Sequence, residues 1–262
     1  MMMKASKRLL LFDIDGTLLD CGGLGARSLL GTLSKVFERT VHRKDVVFAG
    51  RTDTAIINDL MLRNGAAPDD IVCKMEQVWE TFPEMMRAEV EELEKDGEAR
   101  MDVARPRALI GVPELLNILK EEKMKQHKET NVLLGLVTGN MEHTAKIKLA
   151  SSGIDPSLFP IGAYGCDSHD RNRLPLLALE RANSYYHSQT DEEDFFAKAD
   201  VVVIGDTPFD IECAKVNGLV SVAVATGHHG YDKLKAHHPH LLFHDFSDPQ
   251  AVAQALLTSS FA

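Results

Sequence analysis

Positive charge is scarce in this sequence: 29 Lys and Arg stand against 39 Asp and Glu, a formal net charge of −10. That balance argues against general nucleic-acid binding, which needs a basic surface. It also means that any anionic ligand must meet local positive charge, from a cation or a few well-placed basic side chains. Cysteine is sparse too. Cys21, Cys73, Cys166 and Cys213 form no CxxC element, and four scattered cysteines in 262 residues predict reduced thiols rather than a disulfide framework. No stretch approaches the roughly eighteen apolar residues of a membrane span, so no membrane partner is expected. The opening MMMKASKRLLLFDIDG has too short an apolar run for a signal peptide and leads straight into acidic residues, which predicts a cytoplasmic protein. Internal repeats are lacking. The histidine clusters His228–His229 and His237–His240 lack the Cys or Glu companions of a zinc site and read as solvated loop.

What is present is ordinary globular composition, 44% hydrophobic and 26% charged, in a length that suits one large domain or two smaller ones. Short runs apolar on both faces stand out at Arg8–Ile14, Val132–Thr138, Leu158–Tyr164, Val201–Gly205, Val220–Ala225 and, more weakly, Leu241–His244. They read as strands of a buried parallel sheet. Helical patterns lie between many of them, at Val112–Lys125, Glu142–Ser152, Pro175–Tyr186 and Phe209–Asn217. This alternation predicts a doubly wound, mainly parallel α/β sheet. Residues 21–105 break the rhythm with three helical stretches, Gly25–Thr40, Thr52–Asn64 and Pro68 to about Arg100, which predicts a helical domain inserted into a core of residues 1–20 and 106–262. Asp45–Ala49 and the Gly-containing ends read as its joints. Trp79 and Met85–Met86 read as its interior. His187–Lys198, acidic and polar, reads as a surface loop.

Three strand ends carry chemistry. LLLFDIDGTLLD brings Asp13 and Asp15 to the carboxyl end of a strand, on one face because alternate strand residues share a face. Two such carboxylates repel unless a cation or proton lies between them. VVVIGDTPFD ends a second strand in Asp206, with Asp210 four residues on. If these strands are neighbours, three or four carboxylates converge, and all-oxygen ligation is what Mg²⁺ prefers. Read alone, the second motif is equally a capped turn. LLGLVTGN ends a third strand at Thr138, Gly139 and Asn140, where a hydroxyl and free N–H groups make an anion cradle.

In this order the three motifs resemble the haloacid dehalogenase superfamily of hydrolases. The helical block looks like that family's small cap domain, and AGRTDTAIINDLMLRNG is similar to caps of the phosphoglycolate phosphatase-like branch. The resemblance implies a Rossmann-like core and a phosphoric monoester hydrolase. Asp13 would be the nucleophile that becomes an aspartyl phosphate, and Asp15 the general acid and then the base. Mg²⁺ would be held by the Asp13 carboxylate, the Asp15 backbone carbonyl and Asp206, with Asp210 nearby. Thr138, Gly139 and Asn140 would bind the phosphoryl oxygens. One departure matters. Where the family carries a Lys before its last motif, DSHDRNRLPLLALERA has none, so Arg171 or Arg173 must supply the cation, with Arg171 favoured by its place ahead of the helix at Pro175.

A small phosphorylated metabolite is the expected partner, because an inserted lid that closes over the site hinders a folded protein substrate. In the lid, Gly50–Arg51–Thr52–Asp53 reads either as a loop that brings Arg51 to the leaving group or as a helix cap by Thr52 or Asp53. A phosphomutase of the β-phosphoglucomutase type would share the same core. Carbon–halogen cleavage would not need Asp15 and the metal acids together, and a non-catalytic binding protein should have lost at least one acid. No feature fixes an oligomeric state.

Overall fold

The computed structural model describes residues 6–95, 104–124, 130–190 and 195–259. Six parallel strands form one sheet: β1 (Ser6–Phe12), β4 (Thr130–Val137), β5 (Ile161–Ala163), β6 (Val201–Gly205), β7 (Val220–Val224) and β8 (Leu241–Phe243), in the order β5-β4-β1-β6-β7-β8. β1 lies at the centre, with Phe12 level with Leu136 of β4 and Ile204 of β6. Its apolar run does not alternate with polar residues because both faces are covered. Leu10 and Phe12 pack into one cluster with α4 (Val112–Met124), α5 (Glu142–Ser151) and α9 (Pro249–Thr258). Leu9 and Leu11 pack into another with α6 (Leu174–Thr190) and α7 (Pro208–Val216). Each of these fully buried side chains is worth about 1.5–3 kcal/mol of burial, which fixes the position of the strand end that carries Asp13.

The helical block comprises α1 (Leu24–Val36), α2 (Asp53–Arg63) and α3 (Pro68–Lys95), with an apolar cluster of its own. Met86 is buried in it, and Trp79 packs against it. The chain leaves and re-enters the α/β layers through an antiparallel strand pair, β2 (Leu19–Asp20) against β3 (Arg107–Ala108). Asp45–Ala49 therefore lies within the block, between α1 and α2, rather than at its joint.

Other differences from the sequence expectation are local. The expected loop at His187–Lys198 is helical through Thr190, because α6 runs on past Tyr186. Residues 191–194 of that expectation lie outside the described residues. Phe195 and Phe196 are buried in an aromatic group with Tyr186 instead of being solvated. The short α8 (Tyr231–Lys235) takes in part of the stretch between the histidine clusters. Among the described residues, no helix is long and apolar enough to cross a membrane.

Candidate active site

The carboxyl ends of β1 and β6 are adjacent, and their acids meet there. Asp13, the first residue after β1, donates its backbone N–H to the Ile204 carbonyl at 2.9 Å, which extends the strand pairing to that point. Asp206 follows β6 directly, and Asp210 lies in the first turn of α7. Oxygens of Asp13, Asp206 and Asp210 fall within 4.8 Å of one another, and all three residues are buried. Asp210 is also a helix-capping residue. Its Oδ2 accepts from the Thr207 N–H at 3.0 Å and the Thr207 hydroxyl at 2.6 Å. Asp210 therefore both caps the turn and joins the acids. The opposite wall is glycine by necessity: Gly16 is at φ +82, and a Cβ there would come within 2.6 Å of Asp206 Oδ2. Thr17 donates its hydroxyl to Asp206 Oδ1 at 3.2 Å.

Among the described residues, one protein cation reaches this cluster. Arg171 lies on a single 3₁₀ turn (Arg171–Arg173) whose start is capped by Asp170. Its Nη2 is 3.3 Å from Asp13 Oδ1 and 2.5 Å from Asp210 Oδ1. Arg173, two residues on, is exposed. The geometry thus brings Arg171, and not Arg173, to the acids. Arg171 Nε is buried and has no acceptor among the described residues. One Arg does not balance three carboxylates, and the proton affinity of Asp13 and Asp206 rises. Burial pushes Asp13 up to about 6; Asp210 and Asp15 add to that, and Arg171 opposes it. Burial, then Asp210 and Asp13, push Asp206 well above the ordinary carboxylate value. A divalent cation among these oxygens would supply the missing charge, so the residues fit Mg²⁺.

Asp15 does not join the three. Its Oδ2 turns to the side, where Lys148 Nζ lies at 2.7 Å and Asn140 Nδ2 at 2.8 Å. Burial pushes the Asp15 carboxyl up, but Lys148 and Asn140 outweigh it and hold the group below its ordinary value. Asn140 in turn donates to Thr138 Oγ1 at 2.8 Å and accepts from Lys148 at 2.6 Å. The Thr138-Gly139-Asn140 turn is therefore a linked unit on the end of β4, held by the Thr138 N–H donating to Ala163 of β5 at 3.1 Å.

Lys148 is the residue that sequence reasoning missed. It sits on α5 with Thr144, Ala145 and Leu149 on the buried face, whereas Lys146 is exposed and pairs with Glu142. The signal is its helical spacing with Ala145 and Leu149, three residues from one and next to the other. For Asp53 the sequence suggests a helix cap. Thr52 takes the cap, its Oγ1 accepting from the Ala55 N–H at 3.3 Å. Asp53 crosses to the core, where its Oδ2 accepts from the Met141 N–H at 2.9 Å and its own N–H donates to Gly139 O at 2.7 Å. Arg51 does not reach the acids. Its guanidinium donates to Asp59 at 2.9 Å and to the Val47 and Ala55 carbonyls. It does line a cavity of about 240 Å³, together with Gly50, His169, Arg171, Phe209 and Glu212.

The comparisons with known proteins bear on the fold. The HAD-hydrolase-like family model matches residues 177–249, which hold the second acid motif. A search of curated protein sequences finds no match. Among solved structures, the chain is similar to a hydrolase from Pseudomonas syringae at 19% identity, covering 95% of this chain and 97% of that one with a TM-score of 0.61. It is similar to CbbY from Rhodobacter sphaeroides, solved in complex with phosphate, at 16% identity, 92% and 95% coverage and a TM-score of 0.63. It is also similar to a protein described as a predicted phosphoglycolate phosphatase from Haemophilus somnus, at 19% identity, 96% and 100% coverage and a TM-score of 0.60. These solved structures share the α/β fold of this chain, and one segment of it matches the HAD-hydrolase-like family model, in line with the resemblance read in the sequence.

Proposed function

We propose that this haloacid dehalogenase-like chain is a Mg²⁺-dependent phosphatase that hydrolyses a small phosphorylated metabolite through an aspartyl phosphate on Asp13. A phosphoglycolate-like ester is among the candidate substrates. The observation that carries the reading is the buried Asp13, Asp206 and Asp210 cluster, with Arg171 bridging Asp13 and Asp210. Such a cluster is costly without a ligand of opposite charge. Mg²⁺ would be held by Asp13, Asp206 and the Asp15 backbone carbonyl, with Asp210 nearby. When bound, it supplies positive charge against the repulsion between a carboxylate nucleophile and a phosphate.

The Asp13 carboxylate attacks phosphorus, the bond from phosphorus to the ester oxygen breaks, and that oxygen takes a proton from Asp15, which must enter the step protonated although Lys148 and Asn140 favour its ionised form. Asp15 then takes a proton from water as the water attacks the aspartyl phosphate, releasing inorganic phosphate and restoring Asp13. Thr138 with the backbone of Gly139 and Asn140 would cradle the phosphoryl oxygens. Arg171 Nε, buried without an acceptor, is a donor that an anionic ligand can satisfy. The helical block acts as a lid that keeps water out during the first step. The cavity beside Arg171 has room for a small leaving group.

Turnover of a generic aryl phosphate tests this. Activity should need Mg²⁺ and be lost on chelation, and Asp13→Asn should abolish it; chelator-indifferent turnover, or none, would sink the reading. Arg51→Ala should alter the ranking among phosphate esters, with carboxylated esters losing most. An unchanged ranking would remove Arg51 from the substrate contacts.

A further inference from the structure

The buried amine of Lys148 has no place in the chemistry described so far, yet the surrounding chain makes room for it. It is 5% exposed, on α5. It lies within 2.7 Å of Asp15 Oδ2 and 2.6 Å of Asn140 Oδ1. On its far side the helical block contributes Gly25, in the first turn of α1. A Cβ at Gly25 would fall 2.8 Å from Nζ and 3.0 Å from Cε, so glycine keeps the slot open. Asp53, from α2, is a further negative charge that acts on this amine.

The two oxygens of Asp15 are treated differently by this arrangement. Oδ2 carries both Lys148 and Asn140, while Oδ1 is buried with no hydrogen-bond partner of regular geometry among the described residues, the Cys21 thiol being a weaker neighbour of the same carboxyl. We propose that Lys148 is a positioning residue for proton transfer: with Asn140 it clamps Asp15 by Oδ2, leaving Oδ1 as the oxygen that exchanges a proton with the ester oxygen and then with water. The inference rests on the phosphatase reading. It adds a cation that acts on Asp15, distinct from Arg171, which acts on Asp13. Lys148 touches no reacting atom in this scheme. It acts by fixing the carboxylate plane, because a carboxylate bound through one oxygen to two donors cannot rotate freely.

The test is the dependence of kcat/KM on the leaving group, measured with Mg²⁺ for the wild type, Lys148→Met and Gly25→Ala. kcat/KM reports the first irreversible step, in which only poor leaving groups need a proton. Lys148→Met should cost about a hundredfold on alkyl phosphates and leave nitrophenyl phosphates little changed, so the dependence steepens. Gly25→Ala, which crowds the amine without removing it, should steepen it in the same direction and by less, and it keeps the question open to refutation if Lys148→Met does not fold. A uniform loss across the series, or no loss, overturns the proposal. Melting of the metal-free protein gives a readout apart from activity: Asp15→Asn with Lys148→Met should melt no lower than the worse single variant, whereas additive losses overturn the contact. A wild type inactive on every ester sinks the phosphatase reading and this inference with it; an active wild type with an unchanged dependence in both variants sinks this inference alone.

Discussion

Arg171 is only 7% exposed and touches two of the three clustered acids. Its charge is raised in strength by the same neighbours: burial works against ionisation, and Asp210 and Asp13 outweigh it. Removing it leaves buried carboxylates without a cation, a change that costs about 3–5 kcal/mol when nothing else compensates. Arg171→Met should therefore lower the urea midpoint of the metal-free protein strongly, and added Mg²⁺ should restore much of the loss by binding the folded state alone. An equal loss with and without Mg²⁺ would mean that the cation does not enter this cluster. The acids themselves were legible in the sequence because each follows an apolar strand end. Arg171 was legible only as one of two, since Arg171 and Arg173 share a segment with no strong periodicity. Their separation comes from the 3₁₀ turn, which aims residue 171 inward and residue 173 outward. Lys148 was hidden by the opposite problem: its helix announced itself, but two lysines two residues apart look alike until the buried face is known.

At the scale of elements, five parallel strands of the sheet were legible as short apolar runs, and the sixth, β8, as a weaker one. Buried parallel strands need no alternation. The two-residue pair β2 and β3 was not legible, because residues 19–20 and 107–108 are joined by pairing across the whole helical block rather than by any local pattern. Nor was the seat of α2 on the core. It rests on four contacts that only glycine permits or that use main-chain groups. A Cβ at Gly139 would collide with the Arg51 carbonyl, and one at Gly165 with the Gly139 carbonyl. Thr54 donates its hydroxyl to the Gly165 carbonyl at 2.6 Å, and Thr52 donates to the His169 carbonyl at 3.1 Å. Gly165→Ala should push the Thr138–Asn140 turn and the start of α2 apart, at about 1–3 kcal/mol for an overpacked contact. The expected result is a lower melting temperature together with faster proteolysis within residues 50–64. A variant with unchanged melting and proteolysis would show that the turn yields without disturbing α2.

Across the whole molecule, two buried cations among the described residues face two sets of acids. Arg171 serves Asp13 and Asp210; Lys148 serves Asp15, with Asp53 in reach. Asp53 belongs to the helical block and is buried against the core, so its protonation couples the two. Burial pushes it up to about 6, against the opposing pull of Lys148 and of the Met141 N–H. The sign follows from linkage. In the unfolded chain Asp53 ionises near its ordinary value of 3.8, whereas in the folded chain it holds its proton to about 6. Below both values the proton is on in both states, and the burial penalty is not felt. As pH rises between them, the unfolded state gains charge first, and stability is lost; above about 6 both states are ionised and the loss is complete. Each unit of separation is worth about 1.4 kcal/mol, so Asp53 should cost the folded state on the order of 3 kcal/mol by neutral pH. Asn at this position can still accept from the Met141 N–H and carries no charge to bury. Asp53→Asn should therefore gain on the wild type in unfolding free energy as pH rises from about 4 to about 6, and hold that gain above it. Comparing the two proteins removes the contributions of the other carboxylates, among them Asp15, whose depressed value works in the opposite direction. A difference that stays flat over this interval, in urea melts of the metal-free proteins, would mean that the Asp53 carboxylate is matched by Lys148 and that the joint between helical block and core is indifferent to pH.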